Sequence, residues 1–471
     1  MAFVTGGKHF GQYTLEHWYD DEYSDDFFTD CGHRKKVVLK NFHIIDEDTD
    51  IIGSLVIENG IISEVLGGHA PSHIYGASMV IDGAGLSPSE KLPVLMPAFV
   101  DLHAHFRESG FYEKGASFPK EVTLPSELID SACLAAAAGG FGTVVCMANT
   151  KPPTDTADKA AAVKSRADAL GLIDLYPVLS LTKNMEGEEL SGITGLSAGS
   201  LPLMLSEDGK DIADEELFLR AMKEAARIRI PVSCHCDFGG DESSAVYRVI
   251  ELGKKAGCHI HIAHVSKKET VEIIRHAKAA AKAGTFTLTC EVMPHNLCLT
   301  EEDAVKLGKQ TWGRVNPPLR SEEDRQALIK ALADGTVDAI ATDHAPHTAA
   351  DKEAGAPGFS GFETAFAAVY TGLVYREPDC GSKDLAAIDM KKLSSLMSAN
   401  PARLLGLGEG LQKRGRLLPG CRADLVIADT ETSWTVDPAV FKSRGKNSAF
   451  TGRRLFGKIL MTLHSGRVVF E

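Results

Sequence analysis

The chain has 471 residues, 44% of them hydrophobic and 24% charged, and a formal net charge of −14. That length suits one large domain plus a smaller one, and the balance is ordinary for a soluble globular protein. The acidic charge argues against a nucleic-acid partner, and no apolar run reaches the ~20 residues that span a bilayer.

The first residues also lack the charged and apolar regions of a secretory signal. Ten cysteines are scattered without a Cys-x-x-Cys, several within apolar runs (Cys146, Cys258, Cys290). The expectation is buried, reduced cysteine in a cytoplasmic protein, with no membrane partner.

Residues 1–35 mix acidic and aromatic side chains (Trp18 to Phe28) without period and read as an arm. From Lys36 the pattern is β. Val37–Leu39, Phe42–Ile45 and Ser54–Glu58 lead to Asn59-Gly60 and Ile61-Ile62, a hairpin signal because both turn residues tolerate positive φ. Met79–Asp82 adds a short strand, and 36–93 is expected to be the first part of a small β-sandwich.

Val94–Glu108 starts as an apolar run and ends in His103-Ala104-His105-Phe106-Arg107. Strand alternation would put His103, His105 and Arg107 on one face. Paired imidazoles suit zinc, and the arginine fork suits a carboxylate. Apolar runs and helical stretches then alternate. Strands are predicted at 143–148, 173–181, 200–205, 231–234, 259–263, 286–292 and 337–341. The helices between them include Glu127–Ala138, Thr156–Leu170, Glu215–Ile228, Ser243–Lys255, Lys268–Lys282 and Glu322–Ala333. With the His103 strand this is a (β/α)8 TIM-barrel pattern over 94–410, an α/β fold whose strand ends converge on one mouth. Residues 411–471 return to β and are expected to pair with 36–83, completing the sandwich from both chain ends.

The polar strand ends are His103, His105, Asp208, His235, His264 and Asp343. Singly, His235 also reads as a satisfied core histidine and Asp208 as a turn aspartate before Gly209. Cys234 and Cys236 flank His235 but face the other way, so the three cannot share one metal. His264 is read as the inward histidine, His259 and His261 as structural. Asp343 follows a buried strand, where an unpaired carboxylate is costly and a cation partner is expected.

The segments PAFVDLHAHFRE, GGFGTVVCMANTKP, HIHIAHVSKKET, EVMPHNLCLTEED, RVNPPLRSEEDR, GTVDAIATDHAPH, GFSGFETAF and GRLLPGCRADLVIAD resemble the cyclic amidohydrolases, and within them the class I dihydroorotase family. The resemblance implies a barrel with a split β-sandwich and one or two zinc ions per subunit. By motif, His103 and His105 would bind the first metal, Asp208 would bridge, and His235 and His264 would bind the second. Asp343 would be both a ligand and the catalytic proton shuttle. Arg107, Asn149 and His347 would hold the substrate carboxylate and ring, with Asn316 and the Pro357-Gly358 backbone against the ring. The implied reaction is zinc-dependent, reversible closure of N-carbamoyl-L-aspartate to L-dihydroorotate in pyrimidine biosynthesis. The implied assembly is a homodimer, with aspartate transcarbamoylase as a partner for the arm by analogy.

The chain departs from the family at several points. Glu207-Asp208-Gly209 stands where Asp-Asp-Gly is usual, and Arg107-Glu108-Ser109-Gly110 where Arg-Glu-Pro-Gly is. Residues 109–126 form a longer segment than usual, 236–242 a shorter one, and Asn296 replaces a second histidine. Two rival readings are weighed. A hydantoinase, dihydropyrimidinase or allantoinase would usually carry a metal-bridging lysine on the fourth strand, and Leu201–Leu205 has none. A non-catalytic homologue serving as an assembly partner would be expected to have lost ligands, and all six are present.

Overall fold

Two β-systems are built from this chain in the computed structural model, which describes residues 2–4, 36–68, 76–89, 91–108, 126–197, 199, 201–281, 286–376, 387–410 and 413–471. The arm 1–35, apart from the backbone of 2–4, and the long segment 109–125 lie outside the described residues.

The first system is a nine-stranded mixed sheet. Lys36–Ile45 pairs antiparallel with Asp50–Glu58, which returns through Asn59-Gly60 to Ile61–Gly67. Both turn residues take positive φ, 53° and 79°, as the hairpin signal required. Lys36–Ile45 also pairs parallel with Met79–Asp82 and with Val94–Pro97. Val94–Pro97 is the join between the chain ends, because Leu425–Asp429 lies antiparallel on its other side, followed by Lys458–His464 and Arg467–Phe470. The C-terminal strands therefore reach residues 36–83 chiefly through Val94–Pro97. Direct backbone pairing among the described residues is limited to short contacts such as the bridge between Ile61 and Arg422, while the side chains of both parts share one core. Val37, Leu39, Phe42, Ile44, Leu55, Leu95, Leu425 and Leu463 fill the core of this unit.

The second system begins one residue after Pro97–Ala98. Its strands are β1 (Phe99–Ala104), β2 (Phe141–Cys146), β3 (Asp174–Pro177), β4 (Leu205–Ser206), β5 (Val232–Cys234), β6 (His259–Ile262), β7 (Thr287–Val292) and β8 (Ala339–Ile340). The first three form one parallel sheet and the other five another. Parallel bridges at both seams, Leu179 to Leu205 and Ala104 to His344, join them into a TIM-barrel-like ring. Helices between the strands pack outside it. Glu215–Ile228 shows why: Leu217, Phe218, Ala221, Met222, Ala225 and Ile228 fall on one buried face. Asp214 caps its start by accepting from the amides of Glu216 and Leu217.

Two predicted strands are much shorter than the sequence suggested. The 173–181 run is strand only to Pro177; beyond it Leu179 keeps an isolated bridge to Leu205, the Ser180 amide turns to Thr154 O and the Leu181 amide to the Glu207 carboxylate. The 200–205 run contains Pro202, which has no N–H to give, and only Leu205–Ser206 pairs. Among the described residues no helix is long and apolar enough to cross a membrane.

Candidate active site

The ends of the barrel strands bring the polar residues together. His103 lies within β1 and His105 just beyond it, where its amide donates to His344 O. Asp208, His235, His264 and Asp343 follow β4, β5, β6 and β8 by one to three residues. All six are 9% exposed or less.

Asp208 is the hub. Its carboxylate lies 3.3 Å from His103 Nε2, 3.5 Å from His105 Nε2, 3.5 Å from His264 Nε2 and 3.6 Å from His235 Nδ1. Asp343 sits 3.0 Å from His105 Nε2 and 3.8 Å from His103 Nε2. His235 Nδ1 and His264 Nε2 are 2.9 Å apart. Among the described residues two groups have the spacing of metal ligands: His103, Asp208 and His264, and His103, His105 and Asp343. His235 belongs to neither group but borders the first through Asp208 and His264.

The donor set fits a divalent cation. His103 Nε2 and Asp208 Oδ1 are buried without a hydrogen-bond partner, so lone pairs converge with nothing to receive them. Electrostatics agree. Burial alone would raise the Asp208 carboxyl, but His103 and its neighbours hold it well below its ordinary value. Burial likewise opposes the low position of Asp343, where His105 and His103 prevail. His103 is lifted well above the usual imidazole value because Asp208 outweighs its desolvation. Carboxylates that draw a proton onto a buried imidazole attract a metal ion in its place. The arrangement is a binuclear His/Asp metal-binding site, that of a metal-dependent hydrolase.

A surrounding layer holds these ligands, and sequence reasoning missed much of it. Glu291, on β7 and fully buried, lies 3.0 Å from His103 Nδ1 and 3.1 Å from His261 Nε2. Its carboxyl falls to about 2 although burial pushes upward, because His261 and His103 flank it. Its place on the polar side of the alternating strand Thr287–Val292 concealed it. Asp101 accepts from the Thr342 amide (2.9 Å) and hydroxyl (2.5 Å), tying β1 to the residue before Asp343. Glu207 holds the Thr182 hydroxyl and two amides, and so braces the residue before Asp208. His259 and His261 both reach Thr289, in keeping with structural roles.

The expected substrate side gathers next to the cluster. Arg107 does not continue the strand face of His103 and His105, because β1 ends at Ala104 and Arg107 turns the chain with φ 58°. Its guanidinium still reaches the mouth. Nη2 is 3.3 Å from His347 Nε2, and Nε is buried without a partner among the described residues. Asn149 Oδ1 accepts from His105 Nδ1 at 2.9 Å, which fixes that ring and leaves Asn149 Nδ2 for another acceptor. Asn316 Nδ2 lies 3.5 Å from His235 Nε2. His347, lowered to about 4 by burial and by Arg107, is neutral and donates from Nε2 to Pro357 O at 2.8 Å. Gly358 has φ 132°, and a Cβ there would collide with Ala345. Its N–H bonds Arg314 O, and its carbonyl accepts from Lys352 and Asn447, so this backbone is held from within the protein.

The amidohydrolase family model matches residues 94–469. A dihydroorotase from Clostridium botulinum is 35% identical over 444 residues, 93% of this chain and 100% of the relative. One from Caldanaerobacter subterraneus is 36% identical over 454 residues, 88% of this chain and 97% of the relative. Among solved structures, the L-hydantoinase from Arthrobacter aurescens superposes with TM-score 0.72 at 25% identity, covering 92% of this chain and 96% of its own. The dihydropyrimidinase from Brevibacillus agri superposes with TM-score 0.73 at 18% identity over 92% and 94%, a likeness of fold alone. The chain belongs to the amidohydrolase family, as a cyclic amidohydrolase closely related to dihydroorotase.

Proposed function

We propose that this protein is a zinc-dependent dihydroorotase that interconverts N-carbamoyl-L-aspartate and L-dihydroorotate in pyrimidine biosynthesis. The observation that carries the reading is Arg107. Among the described residues no carboxylate comes within ion-pair distance of its guanidinium, which lies between His347 and the acidic cluster. A cation placed so beside a hydrolytic centre suits a substrate that brings its own carboxylate.

His103, His105 and Asp343 would hold one zinc and His235 and His264 the other, with Asp208 shared. Bound there, zinc polarises the amide carbonyl and brings the pKa of a water towards ~7. Asp343 is ionised and takes the proton of the attacking water, then passes it to the departing ring nitrogen. Ring closure runs the same transfer backwards from the protonated acid. Arg107 pairs with the substrate carboxylate, helped by Asn149 Nδ2, while His347, whose one N–H goes to Pro357 O, holds the ring-side backbone. Asn316 and the Pro357 carbonyl, which keeps a lone pair beyond the one His347 uses, face the ring.

The parallel ring is read as a complete (β/α)8 barrel over 94–410, with 36–93 and 411–471 as a β-sandwich. Every described cysteine is a free thiol and most are buried, which supports a cytoplasmic setting. The rival, an uncharged cyclic amide as in hydantoinases, draws on the solved-structure likeness but leaves Arg107 without a partner. The test is hydrolysis of dihydroorotate against hydantoin and dihydrouracil, with metal analysis of the purified protein. The proposal expects zinc and a strong preference for dihydroorotate. Preference for the uncharged rings overturns it.

A further inference from the structure

Lys352 is the only buried lysine among the described residues, with no exposed surface. It sits on the short helix Ala349–Glu353, five residues after His347, behind a cap in which Thr348 and Asp351 satisfy each other's segment. Its ammonium has three N–H donors and meets three carbonyls: Arg314 O at 2.9 Å, Ala356 O at 2.9 Å and Gly358 O at 3.0 Å. The face of Phe359 lies 5.3 Å away. No carboxylate of the described residues pairs with it. Burial brings its pKa down to about 8, so the charge is held at a cost.

An apolar side chain would fill this space without that cost. What the ammonium alone provides is convergence. Three carbonyl oxygens repel one another, and a central cation draws them together. Two of the gathered segments are the ones that meet the substrate ring in the reading above. Arg314 precedes Asn316 by two residues, and Ala356 and Gly358 bracket Pro357. Asn447 takes the Gly358 carbonyl from the other side at 3.0 Å, and its Oδ1 accepts from the His347 amide at 3.0 Å.

We infer that Lys352 is a positioning residue for the substrate ring, setting the distance between Asn316 and the Pro357-Gly358 backbone. The inference rests on the proposed roles of those residues. Lys352 touches neither the metal ligands nor the reacting atoms. Its loss therefore weakens binding of substrate and transition state alike, raising KM more than it lowers kcat.

The experiment compares Lys352→Met with wild type for zinc content, kcat and KM on dihydroorotate, and hydrogen exchange without substrate. The expected result is full zinc, KM raised about tenfold or more, and kcat within about threefold. Exchange should quicken in 314–316 and 355–361, where the Gly358 amide reports on its bond to Arg314 O. An unchanged KM in folded, zinc-loaded Lys352→Met overturns the inference, as does unchanged exchange in both segments. Should that variant not fold, Lys352→Arg keeps the charge but its planar fork cannot address three converging carbonyls. A normal KM there overturns the inference equally. If wild type prefers hydantoin or dihydrouracil, the dihydroorotase reading fails instead, and the same KM and exchange comparison on the preferred ring decides the role of Lys352.

Discussion

His103 Nδ1 and Glu291 Oε1 are 3.0 Å apart, and neither residue has any exposed side-chain surface. The contact fixes which way the imidazole faces. With Nδ1 committed to Glu291, Nε2 is left for the cluster of Asp208 and Asp343. Replacing Glu291 by Gln keeps the shape but removes the charge that supports His103 as a donor. Metal affinity should fall by about 10–100-fold, the usual effect of losing such a partner, with the barrel still folded. Titration of metal-free protein with zinc measures it, and unchanged affinity would show that Glu291 only fills space.

His103→Ala and His105→Ala should each lower the zinc content of purified protein. Zinc affinity of the wild type should also depend on pH. His103 is raised above its ordinary 6.5, so its proton is held beyond neutrality and must leave before the metal binds. Affinity therefore rises with pH up to the raised value. The metal-free protein follows the opposite course. A raised imidazole contributes stability that is complete below 6.5 and lost as pH rises through the folded value. The Tm of metal-free protein should decline on the alkaline side while the zinc-loaded form holds. Parallel pH profiles of the two forms would contradict this.

Asp343→Asn separates ligand from proton carrier. The amide is nearly isosteric but cannot take a proton. With zinc restored, turnover should remain at least ~10²-fold below wild type. More than about a tenth of the wild-type rate would remove Asp343 from proton transfer. Its carboxyl lies well below the ordinary range, so the base form needed for hydrolysis is present at neutral pH. Ring closure needs the acid form and should gain as pH falls.

Much of the site was legible because a barrel places chemistry where apolar strands stop. His103, His235, His264 and Asp343 each follow such a run, and the fold gathers them. The direction of Arg107 was not legible. Alternation holds only while pairing lasts, and the His105 amide already belongs to His344 before the chain turns at Arg107. Glu291 shares parity with Thr287 and Thr289 and so reads as a solvent-facing residue of an amphipathic strand. In this ring the polar face of β7 meets His103 and His261 instead. Lys352 reads as an exposed helix lysine, since nothing local announces three carbonyls arriving from 314, 356 and 358. The join at Val94–Pro97 was hidden for a related reason. One apolar run serves two sheets, and only the pairing shows the break at Pro97–Ala98.

The claim that this centre is built for an acidic cyclic amide is tested most directly by Arg107→Met, assayed on dihydroorotate and on dihydrouracil at full zinc occupancy. A charge-assisted hydrogen bond contributes ~1.5–3 kcal/mol, so kcat/KM on dihydroorotate should fall at least tenfold while the weak activity on dihydrouracil stays nearly unchanged. Equal losses on both substrates would contradict the account and leave Arg107 a structural residue.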